Sequence, residues 1–269
     1  MIALAHLIAL VFYVGAALLA ATPFVRPIGA PFRGVVGMLG AGVAAHLAGL
    51  LAFVTAAGQL PLTGLGPSLS SAGFVLAATL LVVEFLARDV SLSLLAAPLA
   101  ALPTLFATVL GMTPGADQPG LRGFWLGAHI ALSFVGIAAF GTAGAAGALY
   151  LIERRQLRSR RFGAILRFFP PLATLDRVNH VSALAGWVSL TLGIVLAIAY
   201  SLAYRETNLA QILWGTGAWI GVSGIALGRV LGGWQARRAA LYSSMTFVGV
   251  LVLYVALRVV VTGQGGKFL

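Results

Sequence analysis

Long apolar runs dominate the chain, and eight windows are candidates for crossing a bilayer: 2–22, 34–57, 72–87, 90–112, 123–150, 179–203, 209–229 and 239–261. A spanning helix needs about 20 mostly apolar residues. Hydrocarbon offers no water to satisfy a backbone that is not already hydrogen-bonded within its own segment. The runs are continuous rather than alternating, which excludes the strands of a membrane barrel. The third window is short and reaches back into the loop before it. The expected fold is therefore all-α: a polytopic transmembrane bundle of about eight spanning helices, read as a single integral membrane domain over 1–269. Met1 to Ala21 has no basic stretch ahead of its apolar run, so it reads as the first span rather than a cleaved signal.

Composition agrees. The chain is 60% hydrophobic and 9% charged, against roughly 25% charged in soluble domains. The formal charge of +11 does not point to nucleic acid, because the positive residues sit in short connections between apolar runs. Thirteen of the 17 lie in 23–33, 88–89, 151–178 and 229–238: Arg26, Arg33, Arg88, Arg154, Arg155, Arg158, Arg160, Arg161, Arg167, Arg177, Arg229, Arg237 and Arg238. Only Arg122, Arg205, Arg258 and Lys267 fall on the alternate side. The positive-inside rule places the richer set in the cytoplasm and both termini outside. The longest connection, a basic cytoplasmic loop over about 151–178, is suited to anionic lipid headgroups or to a cytosolic partner. A short interfacial helix is expected around Phe162–Phe169, ended by Pro170 and Pro171.

No cysteine is present, which removes disulfides, thiolate metal sites and covalent c-type haem attachment within this chain. No phosphate loop, HExxH or nucleophile elbow occurs. The remaining metal-ligating side chains are His6, His46, His129 and His180. His46 lies in the second window roughly 15 Å from its outer end, and His129 in the fifth about 9 Å deep. Two neutral imidazoles at comparable depth can ligate one haem iron axially. Equally, each can hydrogen-bond a serine, threonine or carbonyl on a neighbouring helix. His6 and His180 read as interfacial, with His6 a third candidate ligand. Glu84 and Arg88 have the spacing of a helix-face ion pair. Gly141, Gly144 and Gly147 have the spacing of a close helix contact. Trp125, Trp214 and Trp234 fall at window ends as an aromatic belt; Trp214 and Trp219 could also stack on a porphyrin.

Four segments together resemble the cytochrome c assembly protein family, typified by CcsA, CcmC and HemX. They are GQLPLTGLGPSLSSAGF (58–74), FWLGAHIALSFVGIAAFGTAGAAGALYLIERR (124–155), LDRVNHVSALAGWVSLTLGIVLAIAY (175–200) and GRVLGGWQARRAALYSSMTFVGVLVLY (228–254). In the family the Trp-Leu-x-x-His histidine is a haem ligand near the outer surface. That implies His129 as an iron ligand, with Trp125 beside it. A second-helix histidine of HemX-like and YpjD-like members implies His46. The family's tryptophan-rich outer loop is reduced here to YRETNLAQILWGTGAW (204–219), which keeps Trp214 and Trp219 but no aspartate. Histidines expected around Leu227–Arg229 and in the tail TGQGGKFL are absent.

The resemblance thus implies a HemX-like or YpjD-like accessory role in a bacterial inner membrane. Haem b would be held non-covalently by His129 and His46 and rimmed by Trp125, Trp214, Trp219 and Arg122 or Arg205. Other cytochrome c maturation proteins would be partners, and no bond-forming reaction is implied. The alternatives are a small-solute transporter, and a membrane scaffold whose basic loop docks a tetrapyrrole-synthesis enzyme.

Overall fold

The structure, a computed structural model, describes residues 1–25, 31–115, 120–159, 170–205 and 207–263. It has eight helices long and apolar enough to cross a membrane: α1 (Ile2–Ala20), α2 (Phe32–Ala57), α3 (Leu65–Ala87), α4 (Ser93–Leu110), α5 (Gly120–Arg158), α6 (Leu172–Tyr204), α7 (Leu209–Val230) and α8 (Ala236–Gly263). A single 3-10 turn (Thr22–Phe24) follows α1, and no strand occurs among the described residues. The chain is an all-α, multi-pass membrane protein. The expected helix over Phe162–Phe169 lies outside the described residues.

Each expected span has its helix, and two begin seven residues early. α3 starts at Leu65 rather than 72, although its first turns read LGPSLSS. Pro67 is tolerated there because a first-turn N–H has no intrahelical partner to lose. The serines are satisfied by nearby chain: Ser68 Oγ donates to the Leu62 carbonyl at 2.8 Å and Ser71 Oγ to the Pro61 carbonyl at 2.6 Å. α6 starts at Leu172, directly after the Pro170–Pro171 pair.

The chain divides into two compact units. Unit 1 comprises Met1–Asp117 and Leu149–Val178, and unit 2 comprises Gln118–Ala148 and Asn179–Leu269. In unit 1, α1 packs against α2 and α4, and α3 against α4 and α2, closing a four-helix ring. The buried stripe of α1 is His6, Ala9, Tyr13, Ala16 and Ala20, while Leu4, Val11 and Leu18 face outward. That pattern inverts a soluble helix. Lipid is as apolar as leucine, so small and polar residues take the interior, where they allow close approach and hydrogen bonds. On α2 the stripe continues as Val35, Leu39, Gly42, His46, Gly49 and Phe53. Gly73 brings α3 against α4; a Cβ there would lie 3.0 Å from the Ala100 carbonyl oxygen.

Unit 2 is built the same way. The Gly141, Gly144 and Gly147 row on α5 receives α8. A Cβ at Gly144 would meet Phe247 at 3.0 Å, and one at Gly147 the Ala240 carbonyl oxygen at 2.7 Å. Phe247 also packs edge-on against Phe140, with ring centroids 5.6 Å apart. Asn179 on α6 clasps the seam by donating to the Ala143 carbonyl (2.7 Å) and to Ser243 Oγ (2.6 Å).

Glu84 does not pair with Arg88. Its carboxylate accepts from the backbone N–H and the hydroxyl of Ser93 at the start of α4, the latter at 2.8 Å, and it is fully buried. Arg88 caps α3 in the left-handed region (φ 52), which takes it off the helix face that i, i+4 spacing assumes.

Candidate functional site

Two histidine settings stand out, one in each unit. In unit 2, His129 is half-buried on α5, and its Nδ1 lies 2.8 Å from the Gly193 carbonyl of α6. A carbonyl only accepts, so Nδ1 carries the proton and the Nε2 lone pair points away from that bond. Among the described residues no hydrogen bond engages Nε2. Gly193 makes the approach possible: a Cβ there would be 3.1 Å from Ser133 Oγ, one turn along α5 from His129.

The neighbours of this imidazole follow from helix geometry. Arg122, Trp125 and His129 are spaced i, i+3 and i+7, on one face of α5. Arg122 Nε donates to the Tyr200 hydroxyl at 3.0 Å, and its guanidinium stands over the Tyr204 ring at 5.0 Å. On α7, Trp219 Nε1 donates to Thr191 Oγ1 at 2.9 Å, two residues from Gly193 on α6. The same short stretch of α6 therefore receives His129 from α5 and Trp219 from α7. Trp214 Nε1 donates to the Val250 carbonyl at 3.2 Å, with its ring against Tyr254. Arg205 ends α6 in the left-handed region (φ 54).

In unit 1, His46 is fully buried and both its ring nitrogens are engaged. Nδ1 lies 3.1 Å from the Tyr13 hydroxyl and Nε2 2.9 Å from Ser70 Oγ. The same Ser70 oxygen is 2.6 Å from His6 Nε2, and His6 Nδ1 is 2.8 Å from the Ile2 carbonyl. One direction of donation satisfies every group in neutral form. Since the Ile2 carbonyl must accept, His6 Nδ1 is protonated and its Nε2 accepts from the Ser70 hydroxyl. Ser70 in turn accepts from His46 Nε2–H, and His46 Nδ1 accepts from Tyr13. His6 is thus a buried core residue, 1% exposed, rather than an interfacial one.

The profile of the cytochrome c assembly protein family matches residues 38–264. The chain belongs to the cytochrome c assembly protein family. It is 28% identical over 142 residues to a protein of Azospirillum brasilense described as "Uncharacterized 28.8 kDa protein in nifR3-like 5'region", covering 50% of this chain and 51% of that one. It is 27% identical over 162 residues to the cytochrome c biogenesis protein CcsA of Prochlorococcus marinus, covering 52% of each. The chain thus spans about half the length of the curated relatives it matches. No solved structure matches it. Membership of the family supports a role in cytochrome c biogenesis.

Ser70 and Tyr13 were not legible as site residues. Ser70 falls in an SLSS run that resembles loop, and a tyrosine in an apolar helix resembles packing. The available signal was the seven-residue spacing of His6 and Tyr13, which puts both on one face of α1. His180 meets Arg229, whose Nε lies 3.3 Å from His180 Nδ1.

Proposed function

We propose that this family member binds haem b non-covalently, within a bacterial inner membrane, and shelters it for other cytochrome c maturation proteins. His129 supplies the iron ligand through Nε2. The observation that carries this reading is the Gly193 carbonyl on His129 Nδ1, which holds the ring and leaves one lone pair directed elsewhere. Metal-ligating histidines are oriented by an oxygen partner of this kind on the other ring nitrogen.

Trp125, on the His129 face of α5, and Trp214 and Trp219 on α7 would supply aromatic surface to the porphyrin. Arg122 is suited to a propionate, because a guanidinium has five donors and binds carboxylate through paired N–H groups. The Tyr200 bond that its Nε makes orients the group. When bound, haem supplies iron redox and ligand chemistry; the residues of this chain bind, orient and exclude water. His46 is left out of this site because both its ring nitrogens are engaged within unit 1.

The test is an absorption spectrum of detergent-purified protein from haem-replete cells. A Soret band is expected in the wild type, lost in His129→Ala and kept in Trp125→Phe at reduced intensity. A colourless wild type that stays colourless when haem b is added sinks the reading, and so does a band unchanged in His129→Ala.

A further inference from the structure

The turn between α7 and α8 plays no part in the haem site proposed above, and it lies wholly within unit 2. It belongs to the arginine-rich side that the positive-inside rule assigns to the cytoplasm. Two backbone bonds close it: the Gly232 N–H donates to the Leu227 carbonyl at 3.1 Å, and the Trp234 N–H to the Gly228 carbonyl at 3.0 Å. Gly233 makes the bend in the left-handed region (φ 59). The indole of Trp234 is thereby folded back onto the end of α7. A Cβ at Gly228 would stand 2.5 Å from its ring, and one at Gly232 3.2 Å from its Nε1. The Arg238 guanidinium stands over this indole, 4.4 Å from the ring centroid, and 5.7 Å from the centroid of Tyr242. The two aromatic rings are themselves 4.8 Å apart.

Stacking fixes a guanidinium by its face and leaves the N–H donors around its edge available. Arg122 shows the contrast within the same unit: it also stands over a tyrosine, but its Nε is spent on the Tyr200 hydroxyl. Arg237 and Arg238 are both exposed, and among the described residues neither pairs with a carboxylate or makes a side-chain hydrogen bond. The sequence explains why: from Thr207 to Leu269 there is no aspartate or glutamate. Arg229 is set apart, because its Nε is engaged by His180. Two adjacent cations, one of them held in place by an aromatic pair, are therefore left with unspent donors.

We propose that Arg237 and Arg238, positioned by Trp234, bind the phosphate headgroup of an anionic phospholipid of the phosphatidylglycerol class. The charge sets the sign of the ligand, and the guanidinium sets its shape, since it grips phosphate oxygens through paired N–H bonds. The helix face sets the class. Leu241, Met245, Val248 and Val252 follow Arg237 at helical spacing on one face of α8, and all four are exposed. A cation at the head of an unbroken apolar stripe matches a molecule whose phosphate sits above acyl chains. Inorganic phosphate or an acidic protein segment would complement the arginines and leave the stripe unused. An indole at this level suits the same ligand, with its apolar body toward the chains and its N–H toward the headgroups. Basic pockets at the cytoplasmic ends of membrane helices hold lipid headgroups in this way.

The experiment is native mass spectrometry of the full-length, detergent-purified protein titrated with phosphatidylglycerol, and with phosphatidylcholine of the same chains. Saturable binding of phosphatidylglycerol is expected, tighter than that of phosphatidylcholine, whose phosphate is already balanced by a cation. Affinity is expected to fall about 5-fold in Arg237→Gln and in Arg238→Gln, and about 25-fold in the double variant. Both side chains are exposed, so the variants fold, which circular dichroism checks. Arg238→Lys separates a built site from charge alone: it keeps the charge, loses the paired donors, and is expected to bind more weakly than the wild type. The double variant Arg154→Gln, Arg155→Gln removes the same charge from the end of α5 and is expected to leave the affinity unchanged. The proposal is overturned by a wild type that does not prefer phosphatidylglycerol, or by undiminished affinity in the folded Arg237, Arg238 double variant. Arg238→Lys binding as the wild type does, equal loss in the α5 control, or displacement of the lipid by inorganic phosphate would also overturn it. The arginine variants leave the Soret band unchanged, and His129→Ala leaves lipid affinity unchanged, so failure of one proposal is visible apart from failure of the other.

Discussion

The histidines of the two units differ in how completely their polar atoms are used. His46 spends both ring nitrogens on Tyr13 and Ser70 and is sealed from solvent and lipid. His129 spends one, on Gly193, and is half-buried. In hydrocarbon an imidazole must find partners or be lost from the core. A fully partnered one adds to the bundle's stability, while a half-partnered one keeps capacity for a ligand. Under the proposed function, the difference separates a residue whose loss damages the fold from one whose loss damages binding.

The largest expected effect tests that separation directly. His46→Ala leaves the Tyr13 hydroxyl without its partner, removes one of the two partners of Ser70, and opens a cavity among α1, α2 and α3. A loss of about 3 kcal/mol or more is expected, measured as thermal unfolding in detergent. His129→Ala removes one hydrogen bond at a half-buried position, so about 1 kcal/mol or less is expected, together with the loss of the haem spectrum. Equal destabilisation by the two substitutions would break the comparison.

Glycine substitutions sharpen it. Gly49→Ala puts a Cβ 2.9 Å from the His6 ring and 3.1 Å from Ala5 Cβ. Overpacking of about 1–3 kcal/mol outweighs the roughly 1 kcal/mol of helix propensity that alanine contributes. Gly193→Ala meets Ser133 Oγ at 3.1 Å, which can rotate away, and backbone atoms of α5 only at ordinary contact distances of 3.7 Å and beyond. Its net effect on unfolding is expected to be close to zero. A larger destabilisation at Gly193 than at Gly49, in the same unfolding assay, would contradict the packing described.

Two hydroxyl and indole changes give the smallest effects. Tyr13→Phe removes the donor to His46 Nδ1, and Trp219→Phe removes the bond to Thr191; each is expected to cost about 1 kcal/mol. Tyr13→Phe should leave the haem spectrum unchanged, while Trp219→Phe should shift or weaken it. Spectra that respond in the opposite order would count against the division of labour between the units.

Much of this was legible from the amino-acid sequence. Continuous apolar runs can cross hydrocarbon only as helices, so the eight spans and the all-α class followed from composition along the chain. His129 drew attention as a candidate through its Trp-Leu-x-x-His setting. The limits of α3 and α6 were less so, because LGPSLSS and the turn after Pro171 look like loop until tertiary partners satisfy them. The Glu84–Arg88 pairing failed for a local reason, since the helix ends at Arg88 in a left-handed cap.

The burial pattern lay out of reach of the sequence. In a soluble helix the apolar face marks the core. In this chain every face is apolar, so hydropathy periodicity carries no direction. The interior is marked instead by small and polar residues, whose partners sit on helices remote in sequence. His6 and Ser70 are 64 residues apart, as are His129 and Gly193. Sequence alone determined that the chain threads the membrane as helices, because lipid imposes that on any such backbone. Only the tertiary structure decided which histidine is saturated and which keeps a lone pair, because that depends on which hydroxyl or carbonyl the packing of the helices brings to each ring.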